Sequence, residues 1–318
     1  CWVEIIPGAP KVVGERIITI EDHDETRRVM VDGRPCSPEG IQIRSLIHYS
    51  EDGLLATCNP NPLDQQICRV TVSGETTLIT ETAGIHEANA NDSLMVIQHR
   101  SMDFNGVKTG FYKDNELTNE IPDHSETPNI TLNYFFHKSG ELDLETAILL
   151  PTDHNGETTL PVLLDPYGGP HSQRVRKARG LFGVSQWFAD QGFAVVITDG
   201  RGTPGRSPNF EREVYGDLAT HALTDQIDAL HSISADYDFI DLDRVAIRGW
   251  SFGGYLAALA VIRRPDVFHA AVAGAPVTDW SLYDTHYTER YLGHPETKPE
   301  NYAKTCLLYT SDAADEDL

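Results

Sequence analysis

The sequence has no apolar run long enough to cross a bilayer. Its most hydrophobic stretches, such as YLAALAVIRRP after Ser251, are cut by Arg or Pro well short of about 18 residues, which excludes a spanning helix within the chain. Paired cysteines are also lacking. The five present (Cys1, Cys36, Cys58, Cys68 and Cys306) are odd in number and show no CxxC spacing, so neither a disulfide framework nor a zinc site is indicated. Reduced structural thiols are the expectation. Basic residues are scarce: 25 Lys and Arg stand against 48 Asp and Glu, for a net charge of −23. That field repels phosphate backbones and anionic lipid heads, so neither nucleic acid nor a membrane surface is expected as a partner. The chain opens at Cys1 with neither a Met nor a charged-then-apolar leader, so targeting cannot be judged from its start and a cytoplasmic setting is the expectation.

With 318 residues, 40 % of them hydrophobic, the chain has the material for about two domains. From about Arg16 to Tyr112 it runs in short β-rich segments (RIITI, RRVMV, IQIRSLIHY, LLATC, QICRVTV, TLIT, SLMVIQHR) separated by Gly, Asp, Asn and Pro. Their spacing fits two to three four-stranded blades of about 40–50 residues each, with turns such as SEDG and NANDS. A closed ring needs more blades than that. Residues 1–128 are therefore expected to form part of a β-propeller, its last blades, with the others upstream of Cys1.

A polar stretch from Asp114 to Asn129 precedes a change of texture. The runs ITLNYFFHK and LDLETAILLP lead into a buried-type strand, PVLLDPY. A helix near Val184–Gln191, the strand FAVVITD, a helix over Leu218–Ile233 and the strand DRVAIRGW follow. Strands alternating with helices predict a mainly parallel sheet covered on both faces. Residues 129–305 are read as an α/β-hydrolase domain, C-terminally truncated. Residues 306–318 do not continue its pattern and read as a non-native tail.

Gly249-Trp250-Ser251-Phe252-Gly253-Gly254 lies between the apolar strand RVAIR and the helix-forming run YLAALAVIRR. This is the strand–turn–helix setting of a nucleophile elbow, in which Ser251 stands exposed above the sheet and Gly249 and Gly253 leave room for close packing. A serine needs a base to take its proton and dipoles to meet the oxyanion. One dipole is local, the backbone N–H of Phe252. A second is expected from the loop Asp165-Pro166-Tyr167-Gly168-Gly169-Pro170-His171, where Tyr167 can offer its phenol.

The segments LLDPYGGP, TDGRGTPGR, DLATHALTDQIDAL, RGWSFGGYLAAL and VAGAPVTDWSLYDTHYTERYLG, in that order over about Leu144–Glu300, resemble the prolyl oligopeptidase family of serine peptidases, and its dipeptidyl-peptidase IV branch in particular. The resemblance implies cleavage of peptides after proline or a similar small residue, behind a propeller that restricts entry. It makes Ser251 the nucleophile and Tyr167 the oxyanion tyrosine, and places Val277, Trp280, Tyr283 and Tyr287 where the proline-pocket walls lie. Flat aromatic walls suit a pyrrolidine ring, which has no N–H to satisfy. A homodimer is a family-level expectation for the full-length protein.

TDGRGTPGR lacks a Walker lysine and a dinucleotide pattern, so it is read as structural, with Arg201 anchoring neighbouring loops. Asp217, Asp225 and Asp228 are read as a solvated helix face rather than a cation site. No metal and no cofactor are expected, since triad chemistry uses protein groups alone. The acid and histidine of a hydrolase triad follow the nucleophile, yet only 67 residues come after Ser251. Both partners are read as absent from the chain, and Asp284 and His286 fall within the pocket segment rather than on later loops. None of His221, His231, His269, His286 and His294 sits where a catalytic base belongs. The glutamate pair that reads a free amino terminus in the dipeptidyl peptidase branch is not evident either. The readings carried forward are a proline-specific peptidase, probed best by peptide substrates, a prolyl or acylaminoacyl endopeptidase-like relative, and a non-catalytic propeller–hydrolase scaffold. An esterase remains a minor reading of the elbow alone.

Overall fold

The structure, a computed structural model, describes residues 5–50 and 53–308. Its first third is built from antiparallel meanders of four strands each. Strands β1 (Lys11–Val13), β2 (Arg16–His23), β3 (Thr26–Val31) and β4 (Arg34–Pro35) pair in sequence order. So do β5 (Gln42–Ser50), β6 (Gly53–Asn61), β7 (Asp64–Val70) and β8 (Thr76–Leu78). The third set is β9 (Ile85–Ala90), β10 (Met95–Arg100), β11 (Lys108–Lys113) and β12 (Glu116–Ile121). A single parallel bridge, Gln65 to Ile85, joins the second set to the third.

The β-rich segments read from sequence all lie on strands. Five strands were not anticipated: β1, β4, β9, β11 and β12. The run IHEANA of β9 carries little apolar alternation, and β12 is exposed at every position, so its order comes from the ladder to β11 rather than from burial. The polar stretch from Asp114 consequently begins inside this last meander.

The remainder is one six-stranded mixed sheet: β13 (Tyr134–Ser139), β14 (Leu144–Leu149), β15 (Leu160–Leu164), β16 (Ala194–Asp199), β17 (Ile240–Trp250) and β18 (Ala270–Gly274). The spatial order is β13-β14-β16-β15-β17-β18, antiparallel at the β13 end and parallel from β16 onward. Successive residues of its central strands face opposite layers, as the period of two requires. Ile148, Val162, Leu164 and Val196 pack under helices α3 (Thr220–Asp236) and α4 (Phe252–Arg263). Ala147, Leu149, Leu163, Val195 and Ile197 pack with Phe182 and Ala189 on the side of α1 (Gly183–Ala189), and the one-turn α2 (Pro208–Arg212) lies between β16 and α3 in the chain.

Helix α3 forms where expected because Ala222, Leu223, Ile227, Leu230 and Ile233 share its buried face. Asp217 starts it by accepting from the backbone N–H groups of Ala219 and Thr220. The expected solvated face of acidic residues holds for Asp228, which is exposed, and is corrected for Asp217 and Asp225. Asp225 is fully buried and takes the Arg201 guanidinium and backbone N–H, while Asp217 is nearly buried and pairs with Lys304. These two carboxylates are internal ties, and Arg201 does anchor its loop to a neighbouring element.

The meanders and the mixed sheet meet through charged pairs. Arg27 of β3, 5 % exposed in its side chain, donates to Glu211 at 2.8 Å, and Lys177 reaches Asp64 at 2.6 Å. Backbone bonds from Lys177 N–H to Leu63 and from Arg179 N–H to Ser101 reinforce the contact. Cys36, Cys58, Cys68 and Cys306 are buried free thiols, and Cys1 lies outside the described residues. Of the expected tail, 309–318 lie outside them too. Cys306 and Leu307 are buried, the Leu307 N–H bonding the Thr278 carbonyl at 3.0 Å.

Candidate active site

Strand β17 runs through the sheet to Trp250, and Ser251 turns the chain into α4 with φ 57° and ψ −117°. A non-glycine residue there is strained, and the surroundings hold it: the Ser251 N–H donates to the Gly274 carbonyl, and the Ser251 carbonyl accepts from Tyr255, both at 2.9 Å. A Cβ on Gly249 would run into the Gly253 backbone, and one on Gly253 would stand 2.8 Å from the Pro166 carbonyl. Small residues flank the serine because strand, helix and the Tyr167 loop converge there.

Phe252 is the first residue of α4, where a backbone N–H has no carbonyl one turn earlier to bond. The Tyr167 loop lies directly on that helix. A side chain at Gly168 would meet Leu256 at 2.5 Å, and one at Gly169 would meet the Phe252 ring at 2.5 Å. The Tyr167 ring packs 6.0 Å from that of Phe252, and its hydroxyl lies near enough to Ser251 for the serine to influence its titration. Burial pushes the Tyr167 phenol above its usual range, while the nearby Ser251 side chain pulls the other way. A neutral phenol at physiological pH remains an O–H donor, the form an oxyanion needs.

Downstream, a short 3-10 turn at Trp280–Leu282 leads into α5 (Thr285–Leu292), capped by Asp284 accepting from the Tyr287 N–H. Trp280, Tyr283 and Tyr287 form one aromatic group: Trp280 stacks on Tyr287 at 6.0 Å and 14°, and Tyr283 meets Tyr287 edge-on at 5.5 Å. Val277 packs, partly buried, against the core cluster that contains Trp280. Trp280 is not an open wall, however. It is 1 % exposed, held between Tyr287 and the rings of Phe252 and Tyr255, so it backs the group from the core while Tyr283 faces outward. The Tyr287 hydroxyl is buried without a hydrogen-bond partner, and burial, with Tyr167, Tyr291 and Tyr283 nearby, pushes its titration far upward.

Among the described residues no histidine or carboxylate bonds the Ser251 hydroxyl. His286 instead meets Arg290 at 3.3 Å, and Asp284 is spent on its cap. His269 accepts from the Val245 N–H. No group of three or more metal-ligating side chains occurs among the described residues. No helix there is long and apolar enough to cross a membrane. Two features escaped the sequence reading. One is Arg290, which reaches both His171 of the Tyr167 loop and His286. The other is the buried Asp165 at the root of that loop; the signal available was a carboxylate closing the apolar run LLD, a position that demands a cationic partner.

A serine on a strained strand-to-helix elbow, facing a phenol above a mixed sheet, defines this half as an α/β-hydrolase domain. Residues 181–314 match the model of the prolyl oligopeptidase family. Mouse dipeptidyl peptidase 8 is 39 % identical over 185 residues, 57 % of this chain and 20 % of that protein. Human prolyl endopeptidase FAP is 36 % identical over 161 residues, 51 % of this chain and 21 % of that one. Dipeptidyl peptidase family member 2 of Caenorhabditis elegans is 34 % identical over 184 residues, 58 % and 22 % respectively. The chain thus spans about a fifth of the length of these relatives. The crystal structure of Porphyromonas gingivalis dipeptidyl peptidase 4 superposes with a TM-score of 0.83 at 22 % identity, covering 96 % of this chain and 45 % of that one, which shows the fold.

Proposed function

We propose that this chain carries the nucleophile, oxyanion donors and proline pocket of a serine peptidase that cleaves peptides after proline or a similar small residue. The observation that carries the reading is Ser251 on a strained elbow with the Tyr167 loop packed directly on the first turn of the helix that follows it. A substrate carbonyl placed between them would be attacked by the Ser251 Oγ. The negative charge developing on its oxygen would be met by the Tyr167 O–H and the Phe252 N–H. A base takes the serine proton and returns it to the departing amine, and water then hydrolyses the acyl-enzyme. Val277, Trp280, Tyr283 and Tyr287 offer an aromatic surface for the ring that precedes the scissile bond. The four-stranded meanders, as the last blades of a partial propeller, would limit access to short or unfolded peptides.

The triad acid and histidine lie, on this reading, outside the 318 residues, and the isolated chain is inactive. Release of N-terminal dipeptides is favoured by the likeness to dipeptidyl peptidase 8. Endopeptidase action is the second reading, favoured by the likeness to prolyl endopeptidase FAP. A homodimer of the full-length protein and a cytoplasmic setting are part of the proposal, and no cofactor is. The test is hydrolysis of Gly-Pro and Ala-Pro chromogenic amides by the longer protein that contains this chain, beside a Ser251→Ala control. Serine-dependent cleavage that requires a free amino terminus identifies a dipeptidyl peptidase. Cleavage of blocked peptides alone identifies an endopeptidase, and no serine-dependent hydrolysis leaves a scaffold.

A further inference from the structure

The oxyanion role of Tyr167 raises the question of what holds its loop over Ser251, because β15 ends at Leu164 and the loop contains two adjacent glycines. Asp165, two residues before the tyrosine, is 2 % exposed. Its Oδ2 accepts from the Ser185 hydroxyl of α1 at 2.7 Å and from the Arg174 guanidinium, on the far arm of the same loop, at 3.0 Å. Its Oδ1 lies 3.7 Å from Nη1 of Arg248, three residues before Ser251 on β17. Arg248 is itself set by lying 4.3 Å over the Phe188 ring of α1. Arg174 is fixed independently: its backbone N–H and that of Val175 donate to Asp199 at the end of β16.

From this geometry we infer that Asp165 is a positioning residue for the oxyanion tyrosine, tying both arms of the Tyr167 loop to the strand that presents Ser251. The physical reason is local. A glycine-rich loop has little stiffness of its own, and a misplacement of about 1 Å is enough to cost an oxyanion donor most of its effect. A buried carboxylate shared by two guanidiniums and a hydroxyl fixes the loop root from three elements at once. Arg248 Nη1 is buried and makes no hydrogen bond, so the Arg248 contact is an ion pair rather than a rigid bond. It sets the distance between loop and elbow.

The inference rests on the proposed peptidase reading, and two measurements separate their failures. In the longer protein, Asp165→Asn and Arg248→Met are each made alone and with Tyr167→Phe. Arg248→Met serves as the second variant because it leaves the bonds from Ser185 and Arg174 intact. Each is expected to lower kcat about tenfold with KM little changed, and by less than about twofold once the phenol is gone. Equal losses in both backgrounds overturn the inference, since a merely structural role does not depend on the Tyr167 hydroxyl. In the 318-residue chain, which needs no activity for this purpose, the NMR cross-relaxation between the Tyr167 and Phe252 rings is compared across the same single variants. Weakening supports the positioning role, and an unchanged signal overturns it. Should the longer protein hydrolyse no peptide at all, the peptidase reading fails and the ring measurement decides the positioning alone.

Discussion

Gly249 and Gly253 approach so closely that a Cβ on the first would overlap the carbonyl group of the second. No rotamer relieves a clash between backbones, so Gly249→Ala must part β17 from α4 and with them the elbow. The expected cost is about 3 kcal/mol, the upper end for overpacking, read as a lowered denaturant midpoint. A variant of unchanged stability would show that the elbow is looser than this contact implies.

Tyr167→Phe keeps the ring beside Phe252 and removes only the hydroxyl near Ser251. Stability should change by less than about 1 kcal/mol, while peptide hydrolysis by the longer protein should fall about 10²–10³-fold. Steady-state kinetics on a proline amide check both, and a fall confined to KM would make the tyrosine a binding residue.

The contact between the two halves depends on Glu211, which accepts from buried Arg27 and from Arg44. Glu211→Ala leaves Arg27 buried with Asp22 as its remaining carboxylate. About 3 kcal/mol should be lost. Limited proteolysis of the segment between β12 and β13 should quicken, and an unaltered cleavage rate would mean the halves are held by other contacts.

Much of this site was legible in the sequence because its parts are local. Gly249 to Gly254 fixes a turn, a strand and a helix within a few residues, and the apolar face of α3 is written at helical spacing. The carboxylates were not legible. Whether Asp225 faces water or Arg201, and whether Asp165 is solvated or shared by Arg174 and Arg248, depends on elements more than twenty residues apart or on loop return paths. Strand β12 was missed because nothing but its pairing to β11 orders it. Trp280, read as a wall, lies one layer further in behind Tyr287, since spacing along a segment cannot tell a wall from the ring behind it.

Acid should weaken the β-rich half. His86 is buried, stacked 4.0 Å from His99, and burial followed by that neighbour pushes its titration down to about 4, against a weaker upward pull from the Gln65 carbonyl and Asp64. The unfolded chain takes up this proton near 6.5, so it binds more protons than the folded one between those values. Stability is therefore present above about 6.5 and is lost as pH falls toward 4, by up to about 3 kcal/mol. Asp199, pushed up to about 6 by burial, acts with the opposite sign, favouring the fold at lower pH. Comparing denaturant midpoints at pH 7 and 4.5 with those of His86→Asn isolates the histidine. The variant should show the smaller acid loss, and an equal loss assigns acid sensitivity elsewhere.

The most direct test of the account is where a proline-directed acyl mimic attaches. An Ala-Pro diphenyl phosphonate should modify the longer protein once, on the peptide containing Ser251, as located by mass spectrometry, and Ser251→Ala should remain unlabelled. Labelling at another residue, or none in a protein that hydrolyses proline amides, would contradict the assignment of Ser251 as the nucleophile.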